Sequence, residues 1–109
     1  MTVRHITPRD LATHMANERA TFLLDVRQSW EHDMAAIAGS VLIPLNELAT
    51  RATEIKPPAD ALVVVYCHHG MRSLAGASTL QRLGLQNVAS LAGGIDAWSC
   101  EVDPEVPRY

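Results

Sequence analysis

The chain has 109 residues, of which 48% are hydrophobic and 19% are charged, and its formal net charge is −3. This length suffices to bury one core, and the composition is that of a folded chain rather than a disordered one. The acidic balance argues against a general nucleic-acid or anionic-membrane binder, although a small anion could still bind in a local positive pocket. We expect a single domain over 1–109, with an acidic, proline-containing tail at 101–109.

The first residues and the two cysteines suggest the compartment. No apolar segment typical of a signal peptide follows Met1, and the longest apolar run, 61–67, is too short to span a bilayer. Two cysteines without a spacing pattern indicate free thiols. We therefore expect a soluble cytoplasmic protein that binds neither nucleic acid nor membrane.

In the first half of the chain, a threonine N-cap followed by proline at the first helical position predicts a helix over 8–18. Short apolar runs predict strands at 21–26 and 41–44. Asn46 is predicted to cap a helix over 46–53. Helices and short strands thus alternate from the start.

The second half continues this alternation. Two prolines make 56–60 a connection, and the β-branched run that follows predicts the strongest strand of the chain at 61–66. Leucine and alanine at three-residue steps predict a helix over 73–84 with a terminal glycine. Segment 87–94 predicts a strand and a glycine turn, and 95–98 predicts a helical turn.

This alternation predicts an α/β domain with a mostly parallel sheet and helices on both faces. The carboxyl ends of parallel strands lie along one edge of the sheet, where α/β proteins usually place their sites. The residues that follow strands are therefore the first candidates for function. They are Asp25, Arg27, the segment Cys67 to Arg72, Gly93 and Gly94.

The segment CHHGMRS directly follows the strongest predicted strand. Backbone N–H groups in so tight a loop can form an anion-binding nest, and the following helix adds the positive end of its dipole. These surroundings should favour the thiolate of Cys67, with Gly70 available for an unusual dihedral angle. Arg72 is unfavourable beside a helix N-terminus unless an anion lies nearby, so its presence indicates one.

Two other interpretations of Cys67 are a small buried core residue and a zinc ligand. Zinc is disfavoured because neighbouring residues rarely converge on one metal and no second ligand pair is present. The histidines outside the loop are scattered, at His5, His14 and His32. We predict neither a metal site nor a cofactor.

Four segments resemble the rhodanese-homology family, and specifically its single-domain sulfurtransferases. They are LLDVRQSWE at 23–31, AAIAGSVLIPLNEL at 35–48, VVVYCHHGMRS at 63–73 and LAGGIDAW at 91–98. The resemblance implies that Cys67 takes a sulfane sulfur from a donor such as thiosulfate and passes it to cyanide or a thiol. It implies a small anionic donor, and it allows a protein persulfide as donor or acceptor.

The resemblance also implies roles for the surrounding residues. Arg72 would help to bind an anionic donor. The loop residues around the sulfur would be His68, His69, Gly70, Met71 and Ser73. Asp25 and Arg27 match a D-x-R pattern of the family, in which Asp25 would brace the loop by hydrogen bonds and Arg27 would add positive potential. Alternatively they are a strand-end cap and a solvated charge.

Some features leave alternatives open. Four residues separate Cys67 from Arg72, whereas related phosphatases have five, which disfavours a small cysteine phosphatase or arsenate reductase. A sulfur carrier or interaction module with little turnover is the other alternative. The segment 35–40 lacks the histidine and proline usual in the family.

Several residues outside the loop have less specific interpretations. The rings of His68 and His69 either face solvent or take part in proton transfer. Cys100 is either a resolving thiol or incidental. Packing roles are predicted for Phe22, Trp30 and Trp98. The tail is predicted to be a surface strap or a loosely ordered segment.

Overall fold

A computed structural model describes residues 2–109 as five strands and five α-helices. The strands are β1 (Arg4–Ile6), β2 (Thr21–Asp25), β3 (Val41–Leu42), β4 (Leu62–Tyr66) and β5 (Val88–Leu91). The helices are α1 (Pro8–Ala16), α2 (Ser29–Met34), α3 (Leu48–Arg51), α4 (Met71–Arg82) and α5 (Gly94–Glu101). The strands form one parallel sheet in the order β1-β5-β4-β2-β3, which confirms the predicted α/β class.

Both faces of the sheet are covered, because the central strand sends alternate side chains to two cores. Val64 and Tyr66 of β4 join a core that also contains residues of α1 and α5. Val63 and Val65 join the other core with residues of α3 and α4. All five residues of β4 are buried. The continuous apolar run that predicted this strand therefore reflects burial on both faces.

The strand register brings the candidate residues to one edge of the sheet. Asp25, the last residue of β2, lies beside Tyr66, the last residue of β4. Val65 lies beside Ser90 of β5. The segments that follow these strands therefore meet at the carboxyl edge, as predicted.

The helix predicted over 46–53 is wrong in form. The segment folds as a 3₁₀ turn at Leu45–Glu47, the one-turn helix α3 and a second 3₁₀ turn at Ala52–Glu54. Asn46 lies inside the first turn and caps nothing. Leu48, the first residue of α3, is fully buried in one core, so tertiary packing rather than a continuous helical period positions this segment.

The bounds of two other helices also differ from those predicted. Helix α4 begins at Met71 rather than at residue 73, since Gly70 has φ +102° and forms the N-cap. The connection after β4 is consequently the four residues 67–70 rather than six. Helix α5 continues to Glu101, well beyond the predicted turn at 95–98.

Other predicted elements are present with shorter bounds, and two elements were not predicted. Helix α1 ends at Ala16 instead of residue 18, with Thr7 as its N-cap as expected. Strand β1 has three residues, two of them exposed, and α2 is six mostly polar residues, so neither has a clear apolar period. No helix within residues 2–109 is long and apolar enough to cross a bilayer.

Candidate active site

Cys67 follows β4 directly and is 1% exposed. Its Sγ atom accepts hydrogen bonds from the backbone N–H groups of Gly70 (3.2 Å) and Ser73 (3.3 Å). Both donors belong to the turn that enters α4, where the first N–H groups of the helix have no partner within it. The positive ends of these backbone dipoles therefore point toward the sulfur.

The loop is held from the other side by the turn that begins α5. Ile95 N–H donates to the Cys67 carbonyl (2.9 Å), and Asp96 N–H donates to the His68 carbonyl (3.1 Å). Gly94 has φ +62°, and a Cβ atom there would collide with these two carbonyl oxygens. The glycine pair predicted to permit close backbone approach does so, at this position.

A buried pair of serines lies behind the sulfur. The Ser73 hydroxyl is 3.6 Å from Cys67 Sγ, donates to the Gly70 carbonyl (3.2 Å) and lies 2.7 Å from the Ser90 hydroxyl. Both serines are almost fully buried. These bonds tie the loop to β5 and fix the position of the Ser73 amide that faces the sulfur.

The side chain of Arg72 forms an ion pair within the chain. Its guanidinium donates two hydrogen bonds to Glu31 of α2, Nη1 to Oε1 at 2.6 Å and Nη2 to Oε2 at 2.8 Å. The Arg72 ion pair holds the pKa of Glu31 at about 2 in spite of burial. The sequence predicted an anion near Arg72, and the structure supplies one from the chain itself.

Asp25 and Arg27 form a second buried ion pair, and neither side chain is exposed. Arg27 donates to Asp25 through Nε (2.8 Å) and Nη2 (2.7 Å), and His32 lies 2.8 Å from the same carboxylate. Burial acts to lower the pKa of Arg27, but its bonds to Asp25 and Tyr109 raise it above the ordinary value.

Two expectations about this pair are therefore corrected. Asp25 holds Arg27 and His32, and among the hydrogen bonds of residues 2–109 its carboxylate does not brace the cysteine loop. Arg27 is not a solvated charge, and its positive charge is balanced by Asp25. The pair faces neither the site nor solvent, because the strand bearing Asp25 lies beside β4 in the interior of the protein.

The tail is a strap that ends on the site. Val102, Val106 and Tyr109 pack against one core. The Tyr109 ring stacks on His68 with centroids 3.8 Å apart and planes 4° apart. Its hydroxyl accepts from Arg27 (2.8 Å) and donates to Glu31 (2.7 Å), and burial raises its pKa to about 12. Tyr109 thus joins the two ion pairs.

The two loop histidines differ in environment. The His68 ring lies between those of Tyr109 and His69, so it does not simply face solvent as expected. Burial lowers the pKa of His68, and the adjacent His69 lowers it further, so both effects disfavour the charged ring. The side chain of His69 is 64% exposed.

One group of side chains resembles a metal-ligand set. Within residues 2–109, possible ligand atoms of His68, His69 and Asp96 lie within 4.8 Å of one another. Asp96 is already paired with Arg108, whose Nε lies 2.9 Å from its carboxylate. A cation at this place would have to compete with that guanidinium.

The remaining residues singled out from the sequence differ in their exposure to solvent. Cys100 is exposed and free, as expected of a thiol in that region. Trp98 and Phe22 pack against the cores, but Trp30 is 58% exposed and meets Tyr109 edge-on at 6.1 Å, so its packing role was wrongly predicted. Met71 is 76% exposed at the start of α4.

Three residues of the site were not singled out from the sequence. Glu31 lies in the segment 23–31 that resembles the family, but its link to Arg72 spans 41 positions. Tyr109 lies in a tail that has no helical or strand periodicity. Ser90 lies in β5, between apolar residues, where the sequence gives no sign of a polar role. An unpaired arginine at a helix N-terminus was the one signal that could have led to Glu31.

The chain is similar in sequence to a known domain family and to named proteins. A family model described as "Rhodanese-like domain" matches residues 7–101. The chain is 34% identical over 104 residues to "Probable adenylyltransferase/sulfurtransferase MoeZ" from Mycobacterium tuberculosis. That match covers 95% of this chain and 26% of the relative, so the chain spans about a quarter of that protein's length.

Two further relatives match along most of their own length. A protein named "Sulfurtransferase" from Allochromatium vinosum is 32% identical over 97 residues, which is 89% of each chain. The crystal structure of a rhodanese-related protein from Thermoplasma volcanium superposes with a TM-score of 0.80 at 35% identity. It covers 91% of this chain and 93% of that one. The relatives from Mycobacterium tuberculosis and Allochromatium vinosum are both named as sulfurtransferases.

Proposed function

The chain belongs to the rhodanese-like domain family, and we propose that it is a sulfurtransferase that carries a sulfane sulfur as a persulfide on Cys67. The observation that carries this proposal is the pair of backbone N–H groups on a buried Sγ at the N-terminus of α4. These groups stabilise a negative sulfur without a metal or a proton acceptor. The same loop is proposed to hold the outer sulfur of a persulfide on Cys67.

The proposed first half-reaction takes sulfur from thiosulfate or from a persulfide. The Cys67 thiolate attacks the outer sulfur of thiosulfate and a new S–S bond forms. The original S–S bond breaks, and sulfite leaves with its electron pair. The site residues proposed to support this step are Cys67, Arg72, His68, His69, Gly70, Met71 and Ser73.

The second half-reaction returns the thiolate. Cyanide or a thiolate attacks the outer sulfur of the Cys67 persulfide, and the bond to Sγ breaks with its electron pair left on Cys67. A protein thiol or persulfide is also proposed as a partner, because the chain matches about a quarter of a relative named for two activities. Asp25 and Arg27 are proposed to support the site by fixing α2 and the tail beside the loop.

The test is intact mass spectrometry after incubation with thiosulfate and removal of excess donor. The wild type is expected to gain one sulfur atom and to lose it on addition of a reductant. Cys67→Ser is expected to gain none, and Cys100→Ser, which removes the exposed thiol, is expected to load like the wild type. A wild type that gains no sulfur from thiosulfate or from a persulfide donor would overturn the proposal.

Turnover separates an enzyme from a carrier. Thiocyanate formation from thiosulfate and cyanide, dependent on Cys67, is the result expected of an enzyme. Loading without thiocyanate formation would indicate a carrier module. Hydrolysis of an aryl phosphate by the wild type but not by Cys67→Ser would instead favour the phosphatase alternative.

A further inference from the structure

Both arginines beside the cysteine loop are compensated by carboxylates. Arg72 makes two bonds to Glu31, and Arg27 makes two bonds to Asp25. A third arginine, Arg108, is paired with Asp96, whose carboxylate also lies 4.0 Å from His69. Each guanidinium charge at this edge of the sheet is thus matched by a carboxylate of the chain.

Glu31 is held in place and cannot easily leave Arg72 to an incoming ligand. Its side chain is 5% exposed. Besides Arg72, it accepts from the Tyr109 hydroxyl (2.7 Å) and from the Gln28 backbone N–H (3.1 Å). A carboxylate with four hydrogen bonds in a buried position is fixed, and it fixes the arginine that it binds.

This charge balance bears on the sulfur donor. Thiosulfate brings two negative charges, and all three of its oxygens lie on the inner sulfur, next to the outer sulfur that is transferred. The positive potential left for it comes from backbone N–H groups and the end of α4, which together amount to a fraction of one charge. The half-buried His68 ring is stacked between two other rings and adds no charge when neutral.

The rim of the site carries two large exposed apolar side chains in addition to the exposed His69 ring. Met71, the first residue of α4, is 76% exposed, and Trp30 beside Tyr109 is 58% exposed. Exposed large apolar side chains next to a reactive group favour an organic substituent over a small hydrated dianion. The charge balance and the apolar side chains at the rim both favour a donor with an organic substituent over thiosulfate.

We propose that Glu31 is a specificity-determining residue, which compensates Arg72 and so directs the site toward the outer sulfur of a thiol persulfide and away from thiosulfate. The inference rests on the proposed function above. In the transfer, the Cys67 thiolate attacks the outer sulfur of R–S–SH and the new Sγ–S bond forms. The S–S bond of the donor breaks, R–S⁻ leaves with its electron pair, and the proton stays on the transferred sulfur.

The test compares two donors that differ mainly in charge. Methanethiosulfonate is thiosulfate with one charged oxygen replaced by a methyl group, so it carries one negative charge instead of two. The ratio of kcat/KM for thiosulfate to kcat/KM for methanethiosulfonate is measured in the wild type and in Glu31→Gln. The substitution frees Arg72, so this ratio is expected to rise about tenfold, which corresponds to one further charge interaction at the site.

Three variants serve as controls. Glu54→Gln removes a carboxylate from an exposed arginine pair with Arg51 and is expected to leave the ratio unchanged. Glu31→Asp retains the charge and is expected to stay near the wild-type ratio. In the double variant Glu31→Gln/Arg72→Ala, the gain for thiosulfate is expected to disappear, because the gain depends on the released arginine.

The wild type alone supplies a second measurement that does not depend on a variant folding. With Arg72 compensated, kcat/KM for thiosulfate is expected to stay level or rise as ionic strength increases, since screening removes no attraction. A steep fall for thiosulfate but not for methanethiosulfonate would overturn the inference. So would a Glu31→Gln ratio within about twofold of the wild type. Absence of sulfur on Cys67 with either donor or with an alkyl persulfide would instead overturn the proposed function.

Discussion

Removing the Tyr109 hydroxyl is expected to lower the free energy of unfolding by about 3 kcal/mol. Tyr109→Phe keeps the ring that stacks on His68 but removes an acceptor for Arg27 at 2.8 Å and a donor to Glu31 at 2.7 Å. The Arg27 side chain has no exposed surface and that of Glu31 is 5% exposed, so water cannot replace either bond. Hydrogen bonds to charged groups contribute about 1.5–3 kcal/mol each, and the two losses overlap because both partners keep other bonds.

The assay is equilibrium unfolding in urea, and the other tyrosine provides a matched comparison. The Tyr66 hydroxyl accepts from the Ile37 N–H at 3.2 Å and lies 2.8 Å from the Ser40 hydroxyl, so its buried partners are neutral. Tyr66→Phe is therefore expected to lower the free energy of unfolding by only about 1 kcal/mol. A loss for Tyr109→Phe equal to or smaller than the loss for Tyr66→Phe would refute the reasoning. It would mean that the strap does not hold the two ion pairs together.

Three further predictions concern acid stability, the glycine turn and the serine behind the sulfur. The pKa of Glu31 is about 2 against an ordinary 4.5, so its contribution is complete above pH 4.5 and is lost as pH falls toward 2. Over that interval the wild type is expected to lose about 3 kcal/mol of unfolding free energy more than Glu31→Gln, and equal losses would contradict this. Gly94→Ala combines a positive φ with a backbone collision and is expected to lower the free energy of unfolding by about 3 kcal/mol or more. The control Gly84→Ala has a positive φ in open space, and its expected loss, measured by urea unfolding, is about 1 kcal/mol. Similar losses for the two variants would show that the cysteine loop shifts to accommodate the added Cβ atom. Ser73→Ala is expected to lower the free energy of unfolding by about 1–2 kcal/mol but to change the alkylation rate of Cys67 by iodoacetamide less than about threefold, because backbone N–H groups face the sulfur. A tenfold slower alkylation would assign that role to the hydroxyl.

Much of the architecture could be predicted from local patterns. The β-branched run of β4 is a strong signal because a strand buried on both faces is apolar throughout. The three-residue steps of α4 are a strong signal because a helix buried on one face repeats its apolar residues at that spacing. Strand β1 and helix α2 have three and six residues, too few to show a period, and α2 is polar. The two short 3₁₀ turns around α3 are set by tertiary packing of Leu48, which local propensity does not record.

The candidate site likewise has features that could be predicted from the sequence and features that could not. The sequence alone placed Cys67 after a central strand and before a helix, and this placement determines that backbone N–H groups converge on the sulfur. It also marked the glycine pair that admits the loop carbonyls. Both features depend on neighbours within a few residues, so they can be derived from order along the chain.

Only the tertiary structure decided which charges remain free. Arg72 meets Glu31 across 41 positions, and Tyr109 meets Arg27 across 82. Each of these groups could have paired with other carboxylates, hydroxyls or solvent, and nothing local to it selects the partner. An ion pair depends on three-dimensional proximity and burial, whereas a loop amide next to a cysteine depends on connectivity. The sequence alone therefore determined where the sulfur chemistry is proposed to occur, and the fold determined the charge that a donor meets there.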